Sequence, residues 1–247
     1  HGVKRSRPAE LIPGTLRVIT ARMNYSPPNA RNGEDVLKDG SRVILRPMVK
    51  EDREKMLDFF QRVDSNDLLF LRSDVRAPAV IAHWLEPLDS QRVFPLLAEF
   101  EGRIVGDCTL HMRKQGWKRH VGNVRVVVAK DFQNRGLGTL LINEIIEMAQ
   151  EFGLEKLVAE IHLQATGALT LFKHAGFSTK AVFEDLVKDP SGRSSDLVVM
   201  VCDVQALERR QKAGKRRKDL TQRRKGAKIY KKILGASASL REVLLYL

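Results

Sequence analysis

VRVVVAKDFQNRGLGT, residues 124–139, opens as a β-rich run, passes through a short polar hinge and ends in the glycine-bearing turn of a helix. A strand that leads through such a loop straight into a helix presents unpaired backbone N–H groups at the positive end of the helix dipole. That arrangement seats a phosphate or pyrophosphate. Gly136 and Gly138 let the chain approach an anion without a Cβ and adopt φ values that other residues resist. Beyond them Leu137, Leu141, Ile145, Met148 and Phe152 fall on one helical stripe, Glu144, Glu147 and Gln150 on another, and Gly153 stops the helix. Two other phosphate motifs do not fit. A Walker loop needs Gly-Lys-Ser/Thr after four intervening residues, and a dinucleotide fingerprint needs a third glycine.

A second segment lies downstream. Lys156–His162 reads as a strand, and Ala165–Ala175 as a helix closed by Gly176-Phe177. The spacing Gln133-x-x-Gly136-x-Gly138 resembles the acetyl-CoA pyrophosphate loop of the GNAT superfamily of N-acetyltransferases. The second segment resembles that superfamily's next element, in which an Asn starts a helix, an Ala follows three residues later, a Tyr at the seventh, and Gly-Phe closes. Ala168, Leu171, Gly176 and Phe177 match it, whereas Ala165 stands where the Asn would be and Phe172 where the Tyr would be.

The bulk properties fit such an enzyme. Of 247 residues 43% are hydrophobic, ample for a buried core. Cys108 and Cys202 lie inside apolar strand-like runs and read as small buried hydrophobes in a reducing compartment. No run of 18 apolar residues exists, so no membrane span is expected. HGVKRSRPAE has no apolar core of a secretory leader, and a cytoplasmic location follows as the expectation. The net charge of +13 is concentrated: Glu208–Lys232 holds thirteen Lys or Arg against two acids, a net of +11.

Three regions are expected. Residues 1–37, with Pro8, Pro13, Pro27 and Pro28, form a flexible N-terminal extension. Its first 27 residues resemble a short fragment of the epoxyqueuosine reductase family, too short to carry that enzyme's sites, which suggests a gene-fusion remnant or an extended reading frame. Residues 38–204 form the acetyltransferase domain, and 205–247 a basic tail. Within the domain, Asp39-Gly40 marks a turn and Val43–Arg46 a strand ended by Pro47. Helices are expected over 51–63 and 78–85, strands over 92–100 and 103–112 joined by Glu101-Gly102, and a strand over 120–129. The helix 137–152, the strand 156–162, the helix 165–175 and strands near 181–187 and 197–203 complete the domain, the last two joined by a turn at 189–192. This order is that of the GNAT fold: α/β (α+β), a mixed, mostly antiparallel sheet splayed at the CoA site and flanked by about four helices. The opening Asp39-Gly40-x-x-Val43-x-Leu45-Arg46-Pro47 resembles most the GNAT domains of bacterial protein lysine acetyltransferases.

The resemblance implies a function, acetyl transfer from acetyl-CoA to an amine on a protein lysine, an N-terminus or a small molecule, by direct attack in a ternary complex. It implies that Gln133, Asn134, Arg135, Gly136, Leu137, Gly138 and Thr139 hold the diphosphate, that Val126, Val127, Val128 and the backbone of Ala129 line the pantetheine arm, and that Phe172 borders the cofactor. Val128 N–H would be the donor to the thioester oxygen. No metal is expected. Where relatives place a Glu on the strand before the loop, this chain has Asn123, and Phe172 cannot protonate a thiolate. Glu160 and His162, which alternate onto one face of the next strand, are the candidate catalytic residues, with His174 behind them. Arg125 shares a face with Asn123 and Val127, so it either disfavours a polyamine acceptor or pairs with a neighbouring acid. Alternatives are a CoA-binding regulatory module without turnover, motivated by Asn123, Ala165 and Phe172, and association with RNA or another anionic surface through residues 205–232. The terminal LREVLLYL is apolar enough to dock on the domain or on a partner subunit, which leaves a homodimer open.

Overall fold

A turn at Asp39-Gly40 lies near the start of the described residues. Gly40 has φ +87°, Ser41 N–H donates to Asp39 Oδ1 (3.1 Å), and Leu37 N–H donates to Ser41 O (2.8 Å). This turn pairs β1 (Asp35–Val36) with β2 (Arg42–Pro47), whose Val43 and Leu45 are buried. The computed structural model describes residues 34–63, 80, 92–188, 192–207 and 209. The chain divides into two units after Val204; of the second only Gln205–Leu207 and Arg209 are described, and the sheet with its helices belongs to the first.

A 3-10 turn at Lys50–Asp52 leads into α1 (Arg53–Arg62), which buries Met56, Phe59 and Phe60, with Leu57 only half-buried. β3 (Val93–Phe100) and β4 (Arg103–His111) form a hairpin through Glu101 and Gly102, both at positive φ (48° and 81°), the conformation that matches strand twist in a two-residue loop. Next come β5 (Val121–Val128), α2 (Leu137–Glu151), β6 (Lys156–His162), α3 (Thr166–His174), β7 (Ser178–Lys188) and β8 (Ser194–Asp203). The sheet order is β1-β2-β3-β4-β5-β6-β8-β7, antiparallel throughout except for the parallel pair β5–β6. This is the mixed α+β architecture expected from the order of elements.

Several expectations need correction. Residues 35–36 belong to the sheet rather than to an extension, because β2 supplies a pairing edge, and Leu37 beside them is buried. β7 and β8 start three residues earlier than their apolar runs, since exposed Ser178, Thr179, Ser194 and half-buried Ser195 still pair. In α2, Glu144 is buried, and so are Ile142, Ile146 and Ala149 outside the apolar stripe, because the helix is enclosed on more than one side. Residues 1–33, the helix 78–85 apart from the helical Val80, the turn at 189–191, and the tail beyond 209 lie outside the described residues.

One polar network ties β2 to α1 and β3. The Arg46 guanidinium bonds both Asp52 oxygens (2.7 Å each) and Glu99 Oε2 (2.6 Å), while Lys55 reaches Glu99 Oε1 (2.9 Å). Burial alone would raise the Asp52 carboxyl, but the bonds from Arg46 and the Val49 N–H outweigh it and hold it below its ordinary value. At Glu99 burial is likewise outweighed, by Lys55 and Arg46. Groups with depressed folded pKa values stabilise the fold above their unfolded values of 3.8 and 4.5, and that contribution is lost as pH falls through the folded values. Arg46→Met strands two carboxylates and should lower unfolding stability at pH 7 by about 3 kcal/mol. Urea titration checks the loss, and thermal midpoints between about pH 5 and 3 should fall less steeply in the variant than in the wild type.

Candidate functional site

β5 and β6 pair only at Val121–Lys156, Gly122–Leu157 and Asn123–Val158. Beyond that point β5 stays on β4 as far as Val128–Gly106, and β6 stays on β8 as far as His162–Leu197. The two strands therefore part at their carboxyl ends and open a wedge.

The ladder decides which main-chain groups face it. Ala129 N–H donates to Val105 O (2.9 Å), so these residues form a hydrogen-bonded pair. By antiparallel alternation Val127–Asp107 and Arg125–Thr109 do too, whereas Val126 and Val128 turn their N–H and C=O towards the wedge. Val127 thus gives its main chain to β4 and not to the wedge, a division that the apolar run Val126–Val128 could not reveal. Gln133 Nε2 donates to Val128 O (3.2 Å), fastening the loop to the end of β5.

Asn134 (φ 61°) and Gly136 (φ 92°) are both left-handed and wind the loop into α2. Leu140 N–H makes the helix's bond to Gly136 O (3.0 Å), so the N–H groups of Leu137, Gly138 and Thr139 precede the i→i−4 ladder. The first turn of α2 carries no acid that would compete with an anion. Leu137 itself is core, offering only its main chain. Gly138 serves packing rather than φ: a Cβ there would stand 3.0 Å from Leu171 Cδ2 on α3. Arg135 is paired with Asp39 (2.8 Å) and lies 4.9 Å from the Phe132 ring centroid. Lys38 supplies a cation that motif spacing missed. Its N–H donates to Arg135 O (3.1 Å), and a Cβ on Gly136 would lie 3.3 Å from Lys38 Cγ. Phe172 is buried and meets Phe177 edge-on, their centroids 4.9 Å apart.

The other sheet face carries polar side chains beside the wedge among buried apolar ones such as Leu97, Val105 and Val127. A Cβ on Gly106 would meet Leu141 and Leu137 of α2, so Asp107, its neighbour, projects from the opposite face. Register places Thr109, Asn123 and Arg125 there with it, and across the wedge Glu160 and His162. Asp107 is 8% exposed, and Thr109 Oγ1 donates to its Oδ1 (3.0 Å). Burial pushes its carboxyl up to about 7, opposed by the Thr109 bond and the Arg125 charge. Glu160 is exposed; His162 is buried, and its Nδ1 accepts Gln164 N–H (3.2 Å). His174 is exposed at the end of α3. Both cysteines are free and buried, and burial raises both thiols, Cys202 to about 11. Among the described residues no group of three or more His, Cys, Asp or Glu is placed to hold a metal, and no helix is long and apolar enough to cross a membrane.

Residues 55–177 match the family model described as "Acetyltransferase (GNAT) family". An uncharacterized N-acetyltransferase of Methanocaldococcus jannaschii is 28% identical over 142 residues, which cover 56% of this chain and 62% of that protein. Among solved structures, the GNAT domain of S. lividans PAT superposes with TM-score 0.59 at 22% identity, covering 69% of this chain and 95% of that one. Mycobacterium smegmatis RimJ in complex with CoA-disulfide superposes with TM-score 0.60 at 16% identity, covering 71% and 88%. Separately, 57 residues, 23% of the chain, are 46% identical to epoxyqueuosine reductase of Vibrio cholerae, of which they span only 15%. That match is longer than the N-terminal fragment read from the sequence.

The raised Asp107 carboxyl gives stability a definite dependence on pH. Its contribution is fully present below the unfolded value of 3.8 and is lost as pH rises through about 7. Asp107→Asn should therefore remove a decline in thermal midpoint between about pH 4 and 7. Parallel melting curves of the two proteins check this, and an unchanged slope contradicts it.

Proposed function

We propose, from the premise that residues 55–177 are a domain of the acetyltransferase (GNAT) family, that this protein binds acetyl-CoA in the β5–β6 wedge and moves its acetyl group to an amine. One observation carries the reading: Val126 and Val128 turn main-chain donors and acceptors into a gap that opens beside the N-terminus of α2. A pantetheine arm is a chain of amides, and it completes that edge as an added half-strand. The diphosphate then sits on the loop 133–139 with Lys38 alongside, where helix dipole, free N–H groups and a cation converge.

Val128 N–H is the donor for the thioester oxygen. As that oxygen gains charge during attack, a fixed donor stabilises it by roughly 3–4 kcal/mol. Holding amine and thioester together removes the entropy of encounter. Attack is direct: Cys108 and Cys202 are buried with raised thiol pKa values and do not serve as acyl carriers. The acceptor class is an amine of a protein or a small molecule, and two buried free thiols suit a reducing, cytoplasmic setting. The basic segment 205–232 adds association with RNA or another anionic surface.

A module that binds CoA without turnover is the second reading, favoured by Asn123 and Phe172, neither of which exchanges a proton. Thiol release from acetyl-CoA with a panel of amines separates the two. Gly136→Glu imposes a Cβ on a left-handed residue beside Lys38 and sets a carboxylate in the anion seat. It should weaken calorimetric CoA affinity at least about tenfold, about 1.4 kcal/mol, with the circular dichroism melt retained. Unchanged affinity refutes the cofactor site.

A further inference from the structure

We propose that Asp107 is the proton acceptor for the attacking amine, a role that rests on the acetyl-transfer reading above. Its carboxyl sits on β4 directly across from Val127, between the two residues whose amides face the wedge, and on the sheet face opposite α2. The sheet face opposite α2 carries Asp107, which is 8% exposed, with Thr109, Arg125, Glu160 and His162, whereas the α2 face is filled by Leu137 and Leu141.

The other candidates serve less well. Asn123 is neither an acid nor a base at neutral pH. His162 accepts a main-chain N–H at Nδ1, so its neutral ring carries hydrogen on Nε2 and presents a donor rather than a lone pair. Asp107 is a carboxyl held in a core strand with one hydroxyl bond and one nearby cation, an arrangement costly to stability. The result is a carboxyl that ionises near pH 7, matched to taking a proton at neutral pH. The charged groups about it are Arg125 on β5 and, on α1, which packs against β4, Arg62, paired with Asp58 and bonded to Ile104 O of the same strand; Lys55 is engaged with Glu99. Its β3 partner, Leu97, carries no charge.

The step balances. The carboxylate takes one proton from the ammonium, the freed lone pair attacks the acetyl carbonyl, and the N–C bond forms as the C–S bond breaks. The second amine proton leaves on sulfur as the CoA thiol, and Asp107 returns its proton to water.

The test is thiol release by the full chain against pH, with the amine from the panel that the wild type turns over best. Asp107→Asn should lower kcat/KM at pH 7 by about 10²-fold or more and abolish the limb near pH 7, with calorimetric acetyl-CoA affinity kept within about twofold. Thr109→Val removes a bond that favours the ionised carboxyl, so its limb should move to higher pH with the maximum rate largely kept. Wild-type turnover that persists unchanged in Asp107→Asn, or a limb unmoved in Thr109→Val, overturns this assignment alone. A wild type that binds acetyl-CoA but releases no thiol with any amine overturns the transferase reading and this role together.

Discussion

Two parallel strands that stop pairing after three residues are the constraint on which the rest depends. A backbone N–H or C=O left without a partner in a protein interior costs about as much as a lost hydrogen bond. A wedge of this kind therefore persists only where flanking strands, a helix terminus and a ligand or water share the load. β4 and β8 hold the outer edges of β5 and β6 along their length, and α2 leaves the sheet at the point where β5 ends. The Gln133 side chain on Val128 O and the left-handed Asn134 and Gly136 set where that helix begins.

The alternation of β5 divides its work. Val124, Val126 and Val128 turn their side chains to α2, and Val126 and Val128 turn their main chain to the wedge. Asn123, Arg125 and Val127 give their main chain to β4 and their side chains to the polar face. On the proposed reading cofactor contact and acceptor contact thus come from neighbouring residues of one strand without competing for the same groups. A one-residue slip would exchange the two roles, and the Ala129–Val105 bond is part of what prevents it.

Local chemistry is legible in the sequence. The strand-loop-helix of 124–139, the Glu101-Gly102 turn and the two buried cysteines follow from short-range rules of turn residues and periodicity. Register sets what is not legible. No pattern in the sequence brings Lys38 to Gly136, because that contact depends on β1 and β2 standing where the loop arrives. Asp107 looks like a polar break in an apolar strand until its pairing with Val127 is known. Helical spacing puts Glu144 on a solvated stripe, whereas α2 is enclosed on more than one side. The break in β5–β6 pairing is likewise a property of two strands and not of either sequence.

The acceptor side follows a different logic from the cofactor side. On the proposed reading the loop at 133–139 binds through main chain, which any sequence with the right glycine can supply. The polar face is built from side chains, where Asn123 and Phe172 depart from the family pattern and Asp107, Thr109 and Arg125 form a set of their own. On β5 position 123 is an Asn, and a buried carboxyl, Asp107, stands one strand away on the same sheet face. On the proposed reading the catalytic demand is for a lone pair within reach of the amine, and Asp107 offers it from β4, the strand paired to the outer edge of β5 rather than one that borders the wedge.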